Sequence, residues 1–444
     1  MKKYIIAVIT VLFSISVSAQ NKPLTIDSCF ALAKANNIQL KMDQLKIEKA
    51  KEVKEQVYTK YFPQVSATFL SYYAAQPFIK YGVNDLEDEF GQILQAIIDL
   101  LNDPTIGGHV PDHIEFMKKG LSIGATAIQP VYAGSRVRTG NKLAKLGIEA
   151  AELQTQISER DMLEEIESTY YLVLGLQQKV GTLESALGLI DSLDKVVKVA
   201  MDAGLVTKSD ALRVALKRNE FLAMQMRLNN GIVLASQLLC QQIGIEYPEE
   251  GLNLENDLEN HDRFVSNDYY IRPELTLLQL QVDAERMYKK MDRGEALPMI
   301  GLGLAANYGM LIQKKFKANA VLFATIQIPI SSWWETKHKI NERNFRIKEV
   351  ELMQQDLTEK MGLQEKQAYN TMVEAEALLE SDRAALDMAQ ENYRLAELNY
   401  KAGLNTLTDV LESNTLLLQA QNAITDREIT YATARRRYHD LTGK

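Results

Sequence analysis

The chain has 444 residues, 46% of them hydrophobic, with 58 acidic against 50 basic side chains and a formal net charge of −8. A surplus of negative charge argues against nucleic acid as a partner. Cys29 and Cys240 are the two cysteines, too few for a disulfide scaffold, and their spacing does not say whether they pair. A small buried side chain in a helix is the expected role of each.

In chain order, residues 1–19 come first. Lys2 and Lys3 precede an apolar stretch from Tyr4 to Phe13, and Val17-Ser18-Ala19 supplies a small-x-small site. The pattern predicts a secretory signal peptide cut before Gln20, because the apolar stretch is short of the ~20 residues that span a bilayer. Cleavage removes two cations and no acid, which takes the formal charge from −8 to −10. Cys29 then lies ten residues past the cleavage point, a poor position for a lipid-anchored terminal cysteine.

Beyond the leader the chain reads itself twice. At an offset of 199 residues (329 − 130), Pro130 falls on Pro329, Tyr170 on Tyr369, Ala203-Gly204-Leu205 on Ala402-Gly403-Leu404, Thr207 on Thr406, Asp210 on Asp409, Leu212 on Leu411 and Gly244 on Gly443. An unbroken offset of that length predicts two tandem copies of one structural unit. Nearer the start of each copy the offset is 235 (298 − 63), where Leu40 falls on Leu275, Leu45 on Leu280, Pro63 on Pro298 and Val65 on Ile300. The difference of 36 residues (235 − 199) is an insertion in the first copy, placed around 79–119; it holds Asp85-Leu86-Glu87-Asp88-Glu89 and the amphipathic stretch Ile93–Leu101. The expected organisation is a first repeat over 20–247, a linker over 248–272 and a second repeat over 273–444.

Within each repeat the order reads helix, strand, turn, strand, long helix, turn, helix. A first helix over about 38–62 leads into a β-hairpin over 63–132, and its counterpart into a hairpin over 298–331. The strands alternate: Val65, Ala67, Phe69, Ser71 and Tyr73 share one face, as do Ile300, Leu302, Leu304, Ala306 and Tyr308, and Ala320, Leu322, Ala324, Ile326 and Ile328. Each has about the 9–11 residues that a tilted strand needs to cross a bilayer. Tyr72, Tyr73, Tyr132, Trp333 and Trp334 stand at strand ends, where aromatic rings favour a lipid–water interface. A soluble sandwich whose apolar faces meet each other is the alternative. Proline costs ~3 kcal/mol inside a helix, and 131–247 and 330–444 contain none. Long helical hairpins are therefore expected over 134–243 and 334–442, reversing at the two Ala-Gly-Leu turns. Rods of that length have no interior of their own and need neighbouring helices alongside.

Four strands cannot close a barrel, and open sheet edges do not survive in hydrocarbon. A membrane reading thus requires several copies around one axis, and three copies would supply twelve strands.

The chain at this point resembles the TolC-like outer-membrane efflux proteins over about 22–443. The resemblance is carried by Leu24-Thr25-Ile26-Asp27 with Ala31-Leu32-Ala33 and Asn36-Asn37, by Pro63 and Pro298 opening the hairpins, by Pro130 and Pro329 closing them, and by the tips at 203–205 and 402–404. It implies a mixed α and β membrane protein: a homotrimer with a twelve-stranded transmembrane β-barrel, four strands per chain, continued by a long α-helical periplasmic barrel. It also implies an exit duct of a tripartite efflux or type I secretion system in the outer membrane of a Gram-negative bacterium. The partners implied are outer-membrane lipid, a periplasmic adaptor and, through it, an inner-membrane transporter. The cargo does not follow, because a duct takes its specificity from its pump.

Asp409 and Glu412 stand three apart and so share one helix face. The resemblance places both in the pore constriction, where three-fold symmetry would stack two acidic rings that favour cations. It puts Asp210 in gate-locking contacts with Tyr400 as a neighbour. Where some relatives carry an arginine after the tip glycine this chain has Asn405, so a lock there would rest on hydrogen bonds. The plain alternative for each acid is a solvated charge at a helix start. Gly204, Leu205, Gly403 and Leu404 are the implied adaptor-contact tips, although glycine and leucine also serve simply to turn and staple a helical hairpin. No cofactor, metal site or catalytic residue is expected: His109, His113, His261, His338 and His439 are scattered, and no nucleophile elbow or phosphate loop appears. A secreted or periplasmic helical scaffold or adhesin without a pore is the competing reading. A periplasmic adaptor would need a small β-barrel module between its helical arms, and none is visible.

Overall fold

A computed structural model of the chain describes residues 23–76, 79–82, 89–101, 113–116, 119–204, 206–256, 272–310 and 316–442. The expected signal peptide, much of the inserted segment, His109, Leu205 and 257–271 of the linker lie outside these residues. Fourteen longer elements follow in order: α1 (Ile26–Asn36), α2 (Ile38–Tyr58), β1 (Gln64–Tyr73), β2 (Ile79–Gly82), α3 (Glu89–Leu101), β3 (His113–Phe116), β4 (Lys119–Ala133), α4 (Arg136–Asp202), α5 (Lys208–Ile243), α6 (Pro273–Glu295), β5 (Met299–Met310), β6 (Lys317–Gln327), α7 (Ser332–Lys401) and α8 (Leu407–Thr442). The chain divides into two units. One comprises Met1–Glu48, Glu149–Leu280 and Glu351–Lys444, and the other Lys49–Ile148 and Gln281–Val350.

The second unit holds an antiparallel four-stranded sheet in the order β1-β4-β5-β6, with β2 and β3 paired as a separate small ribbon. Its register sorts the side chains into two faces. Val65 lies opposite Ala127, Phe69 opposite Ile123, and Ser71 opposite Leu121. Ala127 lies opposite Leu304, and Ile123 opposite Tyr308. Leu304 in turn faces Leu322, and Ile300 faces Ile326. Because side chains alternate along a strand, these pairs form one continuous apolar face across all four strands. The other face carries Ser66, Thr68, Gly124, Thr126, Gly301, Gly303, Asn307, Asn319 and Gln327. Two of its rings lie over glycines, Tyr72 over Gly120 and Phe323 over Gly303. Tyr72 therefore stands on the face opposite Tyr73.

A bulge at Val131, where the register shifts between Pro130 and Tyr132, bends β4 at its helical end. Gly134 (φ 61) and Ser135 (φ 63) then turn the chain into α4. This turn lies backbone to backbone on Gly294 at the end of α6: a Cβ on Gly134 would stand 2.1 Å from the Gly294 carbonyl oxygen. Nearby, Arg343 bonds Asp292 at 2.9 Å and Glu285 at 3.0 Å, tying α7 to α6.

The first unit is helical. Its main core joins Ile26, Cys29, Phe30 and Ala33 of α1 to Ile166, Tyr170 and Val173 of α4 and to Leu239 and Ile243 of α5. The buried Tyr170 hydroxyl donates toward the carbonyls of Leu24 (3.0 Å) and Glu255 (2.7 Å). Those two segments also form a parallel bridge between Leu24 and Leu254. Cys29 and Cys240 are both buried and unpaired. Burial, with the neighbouring Cys240 adding to it, pushes the Cys29 thiol up to about 12. The 70-residue α7 is supported along its length by acid-to-base pairs four residues apart: Glu335–Lys339, Glu342–Arg346, Asp356–Lys360 and Glu397–Lys401. The acid precedes the base in each, the favoured order along the helix dipole, at roughly 0.2–0.5 kcal/mol per pair.

Candidate functional site

The expected working residues lie at the two helix reversals, α4 to α5 and α7 to α8. At the second, α7 ends in a Schellman turn: Leu404 N–H donates to Asn399 O at 2.8 Å, Gly403 N–H to Tyr400 O at 3.0 Å, and Gly403 takes φ 76. Leu404 beyond it is 76% exposed. Thr406 then caps α8, its hydroxyl accepting from Asp409 N–H at 3.3 Å while Asp409 Oδ2 accepts from Thr406 N–H and hydroxyl, both at 2.8 Å. The first reversal repeats this arrangement. Gly204 takes φ 75, and Asp210 Oδ2 accepts from Thr207 N–H at 3.1 Å and from its hydroxyl at 2.7 Å.

Asp409 and Asp210 are thus the third residues of two capping boxes. Hydrogen bonds from Thr406 hold the Asp409 carboxyl below its ordinary range, and those from Thr207 do the same for Asp210, with Arg213 adding a smaller attraction. Glu412 is exposed one turn on from Asp409. The half-buried Tyr400 phenol is raised by burial and by the charge of Asp210, so the two stand near each other. Asn405 contributes its backbone N–H to Asn399 O at 3.3 Å. Among the described residues no side-chain bond from Asn405 reaches the first hairpin. The bond that does cross comes from Arg213, whose Nη1 donates to Thr408 Oγ1 at 2.6 Å.

Beneath the turns the two hairpins share a core. Leu183, Ala186, Ile190 and Val197 of α4 meet Val214 and Phe221 of α5 and Leu407, Leu411 and Leu418 of α8, with Tyr400 packed at the edge. Asn414 is buried in the same region, where its amide donates to Ala186 O at 3.5 Å and its Oδ1 has no partner. Among the described residues, no group of three or more His, Cys, Asp or Glu side chains is arranged to hold a metal ion.

The second candidate surface is the apolar sheet face. Val65, Phe69, Tyr73, Ile123, Leu302, Leu304, Leu322 and Ile326 are all exposed. Tyr132 stands opposite Ile300 at the helical end of this face. Trp333 and Trp334 are exposed in the first turn of α7, with the Trp333 indole donating to Ala296 O at 3.0 Å. No described helix is long and apolar enough to cross a membrane.

Residues 271–444 match the family model of the outer membrane efflux proteins. No curated protein matches the sequence. Solved structures do match the fold. The CusC channel superposes with a TM-score of 0.76 at 12% identity, over 96% of this chain and 95% of that one. VceC of Vibrio cholerae gives 0.72 at 13% identity, over 94% and 96%. The open state of the Neisseria gonorrhoeae MtrE channel gives 0.71 at 15%, over 94% and 88%. At these identities the likeness is one of fold alone. Residues 271–444 therefore resemble the outer membrane efflux proteins in sequence, and nearly the whole chain shares the fold of the channels above.

Proposed function

We propose that three copies of the chain close edge to edge, β1 of one against β6 of the next, into a twelve-stranded barrel in the outer membrane. The helical hairpins continue that barrel as a periplasmic tunnel. The observation that carries this is the sheet, with a bare apolar face over four strands and two open edges. Water penalises the face and hydrocarbon penalises the edges. Closure in a bilayer satisfies both, since lipid covers the outside and a neighbouring strand pairs each edge. The glycine-rich and polar face then lines the lumen.

In this assembly the chain is the exit duct of a tripartite efflux or secretion system. It receives cargo through a periplasmic adaptor that meets the tips around Gly204, Leu205, Gly403 and Leu404. Asp409 and Glu412 line the constriction, and Asp210 with Tyr400 helps to hold it. The capping role of Asp409 leaves this open to it, because its carboxyl is solvent-exposed while Oδ2 holds the helix start.

Planar-bilayer recording tests both levels. The parent should form cation-favouring channels blocked by multivalent cations, and Asp409→Ala should weaken that block. Unchanged block would remove Asp409 from the pore. Recovery of the protein wholly in the soluble periplasmic fraction would instead sink the duct and favour a scaffold.

A further inference from the structure

Away from the tips, the first unit contains an ionic cluster around the buried Glu167 that the channel reading does not use. Arg436 of α8 lies with its guanidinium over the Phe30 ring at 5.0 Å. Its Nε is 3.0 Å from Glu167 Oε2 of α4 and 3.7 Å from Asp440 Oδ2, one turn further along α8. Glu164, one turn before Glu167, adds a third acid close enough to interact with it.

The other charged groups come from each element packed here. On α4, Arg160 bonds Glu274 of α6 and Asp161. Arg272 bonds Glu365 of α7 at 2.8 Å and the Leu441 carbonyl at 3.1 Å. Arg435, Arg437 and His439 are also on α8; Arg437 acts on Glu164, and His439 on Asp440. Arg160 acts on Glu164 and Asp440 and Arg437 on Glu164, while the guanidinium bonded to Glu167 is that of Arg436. Glu164 is exposed, whereas Glu167 is buried, and holding a charged carboxylate out of water is costly even beside one guanidinium.

We propose that this cluster is a proton-binding joint: it takes up a proton on the Glu167 carboxylate, and the last turns of α8 are held to α4 more firmly with that proton than without it. Burial raises the carboxyls of Glu164, Glu167 and Asp440, that of Glu167 to about 7, while Arg436 acts in the opposite direction on Glu167 and Asp440. A raised carboxylate destabilises the packed state in its charged form. That penalty is present above pH 7 and fades as pH falls from 7 toward the ordinary value of 4.5.

Hydrogen exchange of the full-length protein in detergent tests the joint, read at α8 amides over 432–442 and corrected for intrinsic rates. Opening of this segment should be about tenfold rarer at pH 6 than at pH 8. In Glu167→Gln it should be equally rare at both, because the amide imitates the protonated acid while still accepting from Arg436. Arg436→Gln, which removes the counter-charge, should move the change to higher pH. A parent with the same protection at both pH values, a Glu167→Gln protein that keeps the pH dependence, or an Arg436→Gln change at lower pH would each overturn the proposal. The measurement needs no pore activity, so it stands or fails separately from the exit-duct reading.

Discussion

The two helix reversals have the same chemistry and different surroundings. Each has a left-handed glycine, a threonine cap and an aspartate that closes a capping box. Past the box they diverge. Leu411 in α8 is 8% exposed and part of the shared core, whereas its counterpart Leu212 in α5 is 62% exposed. Four residues further on, Leu216 is exposed as well. Three residues after the aspartate, α5 carries Arg213, bonded to Thr408, and α8 carries Glu412, exposed. The same local sequence therefore makes an inner helix start in one copy and an outer one in the other. Local rules fix the turn, and neighbours decide which face is covered.

That contrast can be broken by substitution. The largest difference is expected between Leu411→Ala and Leu212→Ala. The first empties a buried site and should cost about 2–5 kcal/mol. The second should cost well under ~1 kcal/mol unless a neighbouring copy covers it. Thermal midpoints of the detergent-solubilised protein at matched scan rates would show the gap, and equal losses would mean that Leu212 is buried in the assembly. Next, Thr406→Ala and Thr207→Ala should each cost about 1 kcal/mol by removing a cap, and should do so equally. Unequal losses would show that one turn is held by something other than its box. Smallest is Arg213→Met, which removes an exposed cross-hairpin bond and should cost at most about 1 kcal/mol. Its signature is functional: if the bond steadies the constriction, channel open time should lengthen with stability almost unchanged.

Much of this could be read from the sequence because its markers are local. Thr207 and Gly244 bracket α5, and their counterparts at the offset of 199, Thr406 and Gly443, flank α8 in the sequence. Alternation and bounding prolines placed the ends of β1, β5 and β6 within three residues. Long-range contacts were not legible. The first helix was expected over about 38–62, yet two helices meet at Asn37. There the side chain accepts from Gln39 N–H at 2.8 Å and donates to Gln242 O, 205 residues away. Tyr170 stood out only by matching Tyr369, whereas its hydroxyl pins two segments distant in sequence. Arg213 occupies in the first copy the position of Glu412 in the second, and its partner Thr408 lies 195 residues on. Tyr72 was grouped with Tyr73 by position, although alternation alone would have put the two on opposite faces.

The open-edged sheet also sets terms for how a cell must handle this chain. Its strands are most hazardous once correctly paired, because only then do they present an apolar face and two bare edges together. Early folding would give no protection on the way to the membrane. The safe order is delay, with the hairpins closing where hydrocarbon and a neighbour's edge are both at hand. Timing then comes under selection alongside stability, and a substitution that makes the hairpins close too soon would harm the protein as surely as one that stops them closing.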